Sequence, residues 1–165
     1  MTEYKQAEKK IQEWLDRPED GYCLDRIPDQ MTGLYGSKNI CDFTLFKSPN
    51  FYYIESKATW ESRFDFSLIT DYQYKNMLKK SKINNVYGWI VVLYLSHKRA
   101  FIFNIQDIDV LQKSGKKSLN IDKIDKWSIP YFEIPTVNSN KKILDYSMDV
   151  EVDNIVLVLS KKGLN

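Results

Sequence analysis

Asp42 stands thirteen residues ahead of Glu55, and Glu55-Ser56-Lys57 puts a lysine just beyond the second acid. Two carboxylates and an ammonium are parts of a hydrolytic centre built on a divalent cation. Carboxylate oxygens suit a hard ion such as Mg2+ or Mn2+, and the ammonium adds positive charge at the same point. The segments that carry these residues must bring them together. Cys41 to Phe46 and Phe51 to Glu55 read as strands, and Lys47-Ser48-Pro49-Asn50 supplies the turn residues of a hairpin. Pairing Phe46 with Phe51 sets position 44 opposite 53 and Asp42 opposite Glu55. Directly facing residues have Cβ atoms about 4.5–5.5 Å apart, where like charges repel unless a cation neutralises them. Lys57 falls on the face of Glu55, because strand side chains alternate. The opposite face carries Phe43, Leu45, Tyr52 and Ile54, so the acids lie on the second face of a sheet too apolar to stand free in water. The plain alternative for three charges alone is a hairpin with a solvated charged face.

The chain has 165 residues, 43% of them hydrophobic and 14% aromatic, enough to build one core, so a single domain over 1–165 is expected. The longest apolar run, Trp89 to Leu95, is too short to span a bilayer, and the lysine-rich N-terminus lacks the apolar stretch of a signal peptide. No membrane partner is expected, and the location implied is cytosolic. Cys23 and Cys41, outside any C-x-x-C and with one histidine in the chain, build no zinc site and are expected to stay reduced. That histidine, His97, sits in the turn Ser96-His97-Lys98-Arg99, which leaves no general base for a Ser-His or Cys-His nucleophile. Hydrolysis here must run on carboxylates, lysine and metal.

The elements around the hairpin follow from periodicity. Thr2 to Leu15 reads as an amphipathic helix with Tyr4, Ala7, Ile11, Trp14 and Leu15 in one stripe. Arg17 to Asn39 looks irregular, and Ser62 to Ser67 reads as a connection. Thr70-Asp71-Tyr72-Gln73 has the form of a capping box, opening a helix to about Lys82. Trp89 to Leu95 is continuously apolar, as a strand buried on both faces would be, and Ala100 to Phe103 returns beside it. Beyond lie a short helix to Lys113, a basic loop at Gly115-Lys116-Lys117-Ser118, a short helix near 121–126 and an apolar segment at Ile155 to Leu159. The fold class is α/β, a mixed sheet flanked by helices.

Asp42 with Glu55-Ser56-Lys57 resembles the active-site hairpin of the PD-(D/E)xK nucleases. From Asn39 to about Lys126 the chain is similar to the RecU-type Holliday junction resolvases of that superfamily and their phage relatives. The shared features are Ser67-Leu68-Ile69, then Asp71-Tyr72-Gln73, then Ile90-Val91-Val92, then Gly115-Lys116-Lys117-Ser118 with Ile121-Asp122. Arg26-Ile27-Pro28-Asp29 and Gly36-Ser37-Lys38-Asn39-Ile40-Cys41-Asp42 are similar to the phage-encoded branch. The resemblance implies a restriction-endonuclease-like fold and a Mg2+- or Mn2+-dependent DNA endonuclease that resolves four-way junctions as a homodimer. Asp42 and Glu55 would hold the metal, and Lys57 would orient or activate the attacking water. Glu8 resembles the acid this superfamily often carries on its first helix, with Glu13 as its rival. Gln73 is a site candidate that also fits the capping box. Pro28-Asp29 spells the motif's name but lies thirteen residues ahead of the better-paired Asp42.

A net charge of +2 does not mark a protein that coats nucleic acid, yet its lysines are clustered. Lys116 and Lys117, in a loop beside a glycine, are the first candidates for phosphate contact, with Arg63 and the Lys79-Lys80-Ser81-Lys82 cluster after them. Tyr52, Tyr53, Trp60, Tyr72 and Tyr87 have rings that stack on unpaired bases when exposed, although core positions are the commoner place for strand aromatics. Two other functions fit the same residues. One is a sequence-directed restriction or homing endonuclease, which would cut linear duplex as readily as a junction. The other is a non-catalytic DNA-binding module, which had no need to keep Asp42, Glu55 and Lys57 together.

Overall fold

In a computed structural model of the chain, residues 1–28, 38–138 and 140–161 are described. The positions Asp29, Gly36, Ser37 and Lys162 lie outside them. Helix α1 (Glu3–Leu15) is opened by Thr2, whose hydroxyl accepts from Lys5 N–H. It buries Ala7, Ile11, Trp14 and Leu15, the stripe expected from the 3.6-residue period, while Tyr4 stays half exposed. Strands β1 (Cys23–Arg26), β2 (Phe43–Lys47) and β3 (Asn50–Thr59) follow, then β4 (Arg63–Asp65), α2 (Asp71–Lys80), β5 (Val86–Tyr94), β6 (Arg99–Asn104) and α3 (Ile105–Lys113). The chain continues through β7 (Ser118–Asn120), a 3-10 helix (Ile121–Lys126), β8 (Phe132–Glu133), β9 (Thr136–Val137), β10 (Asp145–Tyr146) and α4 (Val152–Ser160).

Six strands form the main sheet in the order β1-β2-β3-β5-β6-β8, with β3 and β5 parallel and the other neighbours antiparallel. This is the mixed α/β architecture expected from the sequence. The hairpin register is also as expected: Phe46 pairs with Phe51 and Thr44 with Tyr53, across a turn with a cis Ser48-Pro49 bond. The central strand β5 is buried from Gly88 to Tyr94 and divides its side chains between two cores. Trp89, Val91 and Leu93 join Phe43, Leu45, Tyr52 and Ile54 beneath α1 and α4. Ile90, Val92 and Tyr94 join Phe64, Phe66, Met77, Ile105 and Ile108 beneath α2 and α3. Burying side chains of this size contributes about 1.5–3 kcal/mol each, which is why a continuous apolar run marks the middle of the sheet. Gly88 is required by close packing, since a Cβ there would come within 2.7 Å of Ile105 Cγ2.

Two expectations need correction, and a third element gains its type. The stretch from Arg17 to Asn39, expected to be irregular, contains β1, which pairs along the whole of Phe43 to Phe46 and covers what would otherwise be a sheet edge. The connection expected at 62–67 contains β4, which pairs with β7 in a small second sheet. The apolar segment at 155–159 is the middle of α4; Val152, Ile155 and Leu159 face the core. Helix α4 is fastened by Arg17, only 1% exposed, whose guanidinium donates to Met148 O at 2.8 Å, Val150 O at 2.7 Å and Tyr22 Oη at 2.8 Å. Tyr22 Oη in turn donates to Glu151 and accepts from Val152 N–H at 2.9 Å. A buried guanidinium needs such acceptors, because an unpaired buried charge is strongly destabilising. Among the described residues no helix is long and apolar enough to cross a membrane.

Candidate active site

Asp42 precedes β2 by one residue, and its backbone is held from both sides. Its N–H donates to Ile54 O at 3.1 Å, and its carbonyl accepts from Ile27 N–H at 2.8 Å. The side chain then reaches past the end of β2, along the edge of β3 that β2 no longer pairs, and Asp42 Oδ2 accepts from Ser56 N–H at 2.8 Å. The carboxylate thus takes a backbone donor that the shorter strand leaves free. Glu55 projects from the next position of β3 and is 2% exposed. Lys57, on the same face, sets its ammonium 2.6 Å from Glu55 Oε1. Among the described residues Glu55 Oε2 is buried with no hydrogen-bond partner.

The charges act on one another. Burial, first, and then the neighbouring charge of Glu55 push the Asp42 carboxyl up to about 7, against the pull of the Ser56 N–H. Burial also pushes the Glu55 carboxyl up, opposed by Lys57 and by the side-chain amide of Gln73. Glu8 adds negative charge to both carboxyls and is itself paired with Arg26 at 2.9 Å. Gln73 serves two purposes. Its Oε1 accepts from Thr70 N–H at 3.2 Å while Thr70 Oγ1 accepts from Gln73 N–H at 3.3 Å, a complete capping box, and its amide also acts on Glu55.

The structure therefore sets Asp42, just ahead of β2, with Glu55 and Lys57 of β3 and Gln73 of α2, while Glu8 of α1 is near enough for its charge to act on both carboxyls. It does not bring in Glu13, which pairs with Lys9 and Lys10 on an exposed face of α1. His97 lies in the turn between β5 and β6 against Asp122, at 3.3 Å. Of the basic candidates, Arg63 pairs with Asp65 at 3.1 Å on β4. The Gly115 to Ser118 loop leads into β7 beside it, with Phe66 N–H donating to Lys117 O at 2.9 Å. Arg63, Lys116 and Lys117 thus flank one small sheet, and Lys116 Nζ donates to Lys126 O at 3.2 Å. Lys79, Lys80 and Lys82 gather instead at the far end of α2, where Lys80 Nζ lies 5.3 Å from the centre of the Tyr53 ring.

The acid pair fits a hard divalent cation. A buried oxygen without a partner and two carboxyls driven toward protonation are costly without compensating positive charge, and a cation among them supplies it. Among the described residues no group of three or more histidine, cysteine, aspartate or glutamate side chains converges. Asp42 and Glu55 would leave the other positions to water and phosphate oxygens, the arrangement Mg2+ favours.

The family model described as RecU, Recombination protein U, matches residues 26–150. The chain belongs to the recombination protein U family. No curated protein matches the sequence. One similar solved structure is that of Hjc from Archaeoglobus fulgidus, a Holliday junction resolvase from an archaeal hyperthermophile. It is 12% identical with a TM-score of 0.49, over 73% of this chain and 91% of that one. The recombination protein U span includes Asp42, Glu55, Lys57, Gln73 and every basic candidate, whereas Glu8 lies before it. Reading residue types did not single out the Ser56 N–H that anchors Asp42, because a backbone donor leaves no trace in the side-chain pattern. Arg26 was visible only as part of its motif; its pairing with Glu8 joins residues eighteen positions apart.

Proposed function

We propose that the chain is a divalent-cation-dependent endonuclease that cuts four-way DNA junctions by phosphodiester hydrolysis, working as a homodimer. The observation that carries this reading is Glu55, buried beside Asp42 and Lys57 with an oxygen that has no partner among the described residues, in a chain of the recombination protein U family. Asp42 and Glu55 would hold Mg2+ or Mn2+, which would polarise a phosphate oxygen and make water more acidic. The chain's own residues do the rest. Ser56 N–H fixes the direction of the Asp42 carboxylate. Lys57 offers three rotatable donors next to Glu55, suited to orienting an attacking water and to stabilising charge that develops on the phosphate. Gln73, locked at the start of α2 by its cap, keeps the amide beside Glu55 in place. Arg63, Lys116 and Lys117 suit the flanking backbone. Two symmetric cuts across a junction call for two such sites, which motivates the homodimer.

The test uses metal-stripped protein on a synthetic four-way junction and on linear duplex of the same arm sequence, with Mg2+, with Mn2+ and with chelator. Symmetric nicking of the junction that needs a divalent ion is expected. Equal cutting of the linear duplex would instead mark a sequence-directed nuclease, and binding without cleavage under every ion would mark a non-catalytic module.

A further inference from the structure

The chain between Lys57 and Gln73 closes on itself, because the Lys57 ammonium at its start and the Gln73 amide at its end act on the same carboxylate, Glu55. Two rings on this closed segment face solvent: Trp60 is 41% and Tyr72 37% exposed. Their distance from the site is bounded by the chain itself. Trp60 is three residues from Lys57, so their Cα atoms are at most about 11 Å apart, and Tyr72 Cα is about 3.8 Å from that of Gln73. The other rings of this region are engaged elsewhere. Tyr52 is fully buried and stacked on Tyr87 at 5.3 Å, and Tyr53 packs edge-on to Phe51 at 5.0 Å beneath Lys80. Among the described residues neither Trp60 nor Tyr72 takes part in a ring contact.

Large rings left in water beside a charged centre are suited to a ligand that combines anionic charge with flat apolar faces, and a nucleotide is such a ligand. In continuous duplex the bases stack on one another and offer no free face; bases at a branch point do. We propose that Trp60 and Tyr72 each stack on a base face left open at the branch point and so discriminate branched from linear DNA. The inference rests on the junction-cutting reading above and adds the residues that select the substrate.

The experiment measures binding of the full chain, in Ca2+ in place of Mg2+ to slow cleavage, to a four-way junction carrying 2-aminopurine at the branch point and to linear duplex of the same sequence. The wild type should bind the junction more tightly and change the 2-aminopurine fluorescence. Trp60→Leu and Tyr72→Leu, which keep apolar bulk but lose the flat ring, should each weaken junction binding by about 5- to 150-fold, the range that loss of one base stack gives. Both should abolish the fluorescence change and leave duplex binding unaltered. Tyr72→Phe and Trp60→Phe should restore the wild-type behaviour. Leucine variants that match the wild type on the junction, or that lose junction and duplex binding equally, would overturn the stacking role while leaving the nuclease reading intact. A wild type that shows no preference for the junction would overturn both.

Discussion

Asp42→Asn offers the sharpest test of the acid pair, because its effect on folding should change with pH and reverse with metal. In the folded protein the Asp42 carboxyl is pushed from its ordinary 3.8 up to about 7, chiefly by burial and then by Glu55. Between those two values the folded state keeps a proton that the unfolded chain has released, so unfolding releases a proton and stability falls as pH rises. The stabilising contribution is complete below about pH 4 and lost by about pH 7. A displacement of that size corresponds to about 4 kcal/mol, and solvent screening at the partly open carboxyl trims it toward about 2 kcal/mol. Asparagine is neutral throughout and still accepts from Ser56 N–H, so it removes the pH-dependent part and keeps the anchor. Urea unfolding of wild type and variant in chelator, from pH 4 to pH 8, should show equal stability at pH 4 and a variant more stable by about 2–4 kcal/mol at pH 8. Saturating Mg2+ at pH 8 should shrink or invert that difference, since the ion stabilises only the folded wild type. A stability difference independent of pH would refute the reasoning, as it would show that Asp42 is not driven toward protonation by its surroundings.

Asp42→Asn and Glu55→Gln should each abolish junction cleavage while DNA binding, measured by gel shift, stays within a few-fold of wild type; full activity in either would remove that residue from the site. Adding Mg2+ or Mn2+ to about a hundred times its dissociation constant should stabilise the folded protein by about 2.7 kcal/mol, seen as a raised melting temperature that chelator reverses. Replacing Lys116 and Lys117 together by alanine should reduce the slope of log affinity against log salt by up to about two without changing any base preference, and an unchanged slope would move the DNA face to Lys79, Lys80 and Lys82. Gly88→Ala should destabilise the protein by about 1–3 kcal/mol in urea unfolding, because its methyl group meets Ile105 Cγ2; a neutral result would mean that α3 shifts freely away from the sheet.

What was legible in the sequence was what a short period or a capping pattern encodes. The hairpin register followed from two aromatic runs and a proline turn, and Thr70 with Gln73 announced the start of α2. Strand β5 was visible because a strand covered on both faces needs no polar alternation. The strands that went unseen are short: β4 and β7 span three residues each, too few for any alternation to register, and they hold each other by pairing that is remote in sequence. Strand β1 was hidden because three of its four residues, Cys23, Asp25 and Arg26, are exposed, so it lacks an apolar face to read. In the site, carboxylates and lysine were legible by type and spacing, and Gln73 by its cap. The turn of α1 separates Glu8 from Glu13 in a way the spacing alone did not: Glu8 pairs with Arg26 and its charge acts on the acids, whereas Glu13 pairs with Lys9 and Lys10.

The fastening of Arg17 to Met148, Val150 and Tyr22 bears on where the folding unit ends. The stretch that matches the family runs from 26 to 150, yet α1 and α4 fall on either side of it, and both supply one whole side of the core. The stretch that matches the family is therefore smaller than the stretch that builds the core. Trimmed to the recognisable stretch, the sheet would show water Phe43, Leu45, Tyr52, Ile54 and Trp89 as one bare apolar wall, a surface for self-association. The two flanking helices are the lid on that wall, and the buried guanidinium is one rivet joining them, beside the Trp14 indole N–H on Ser147 O.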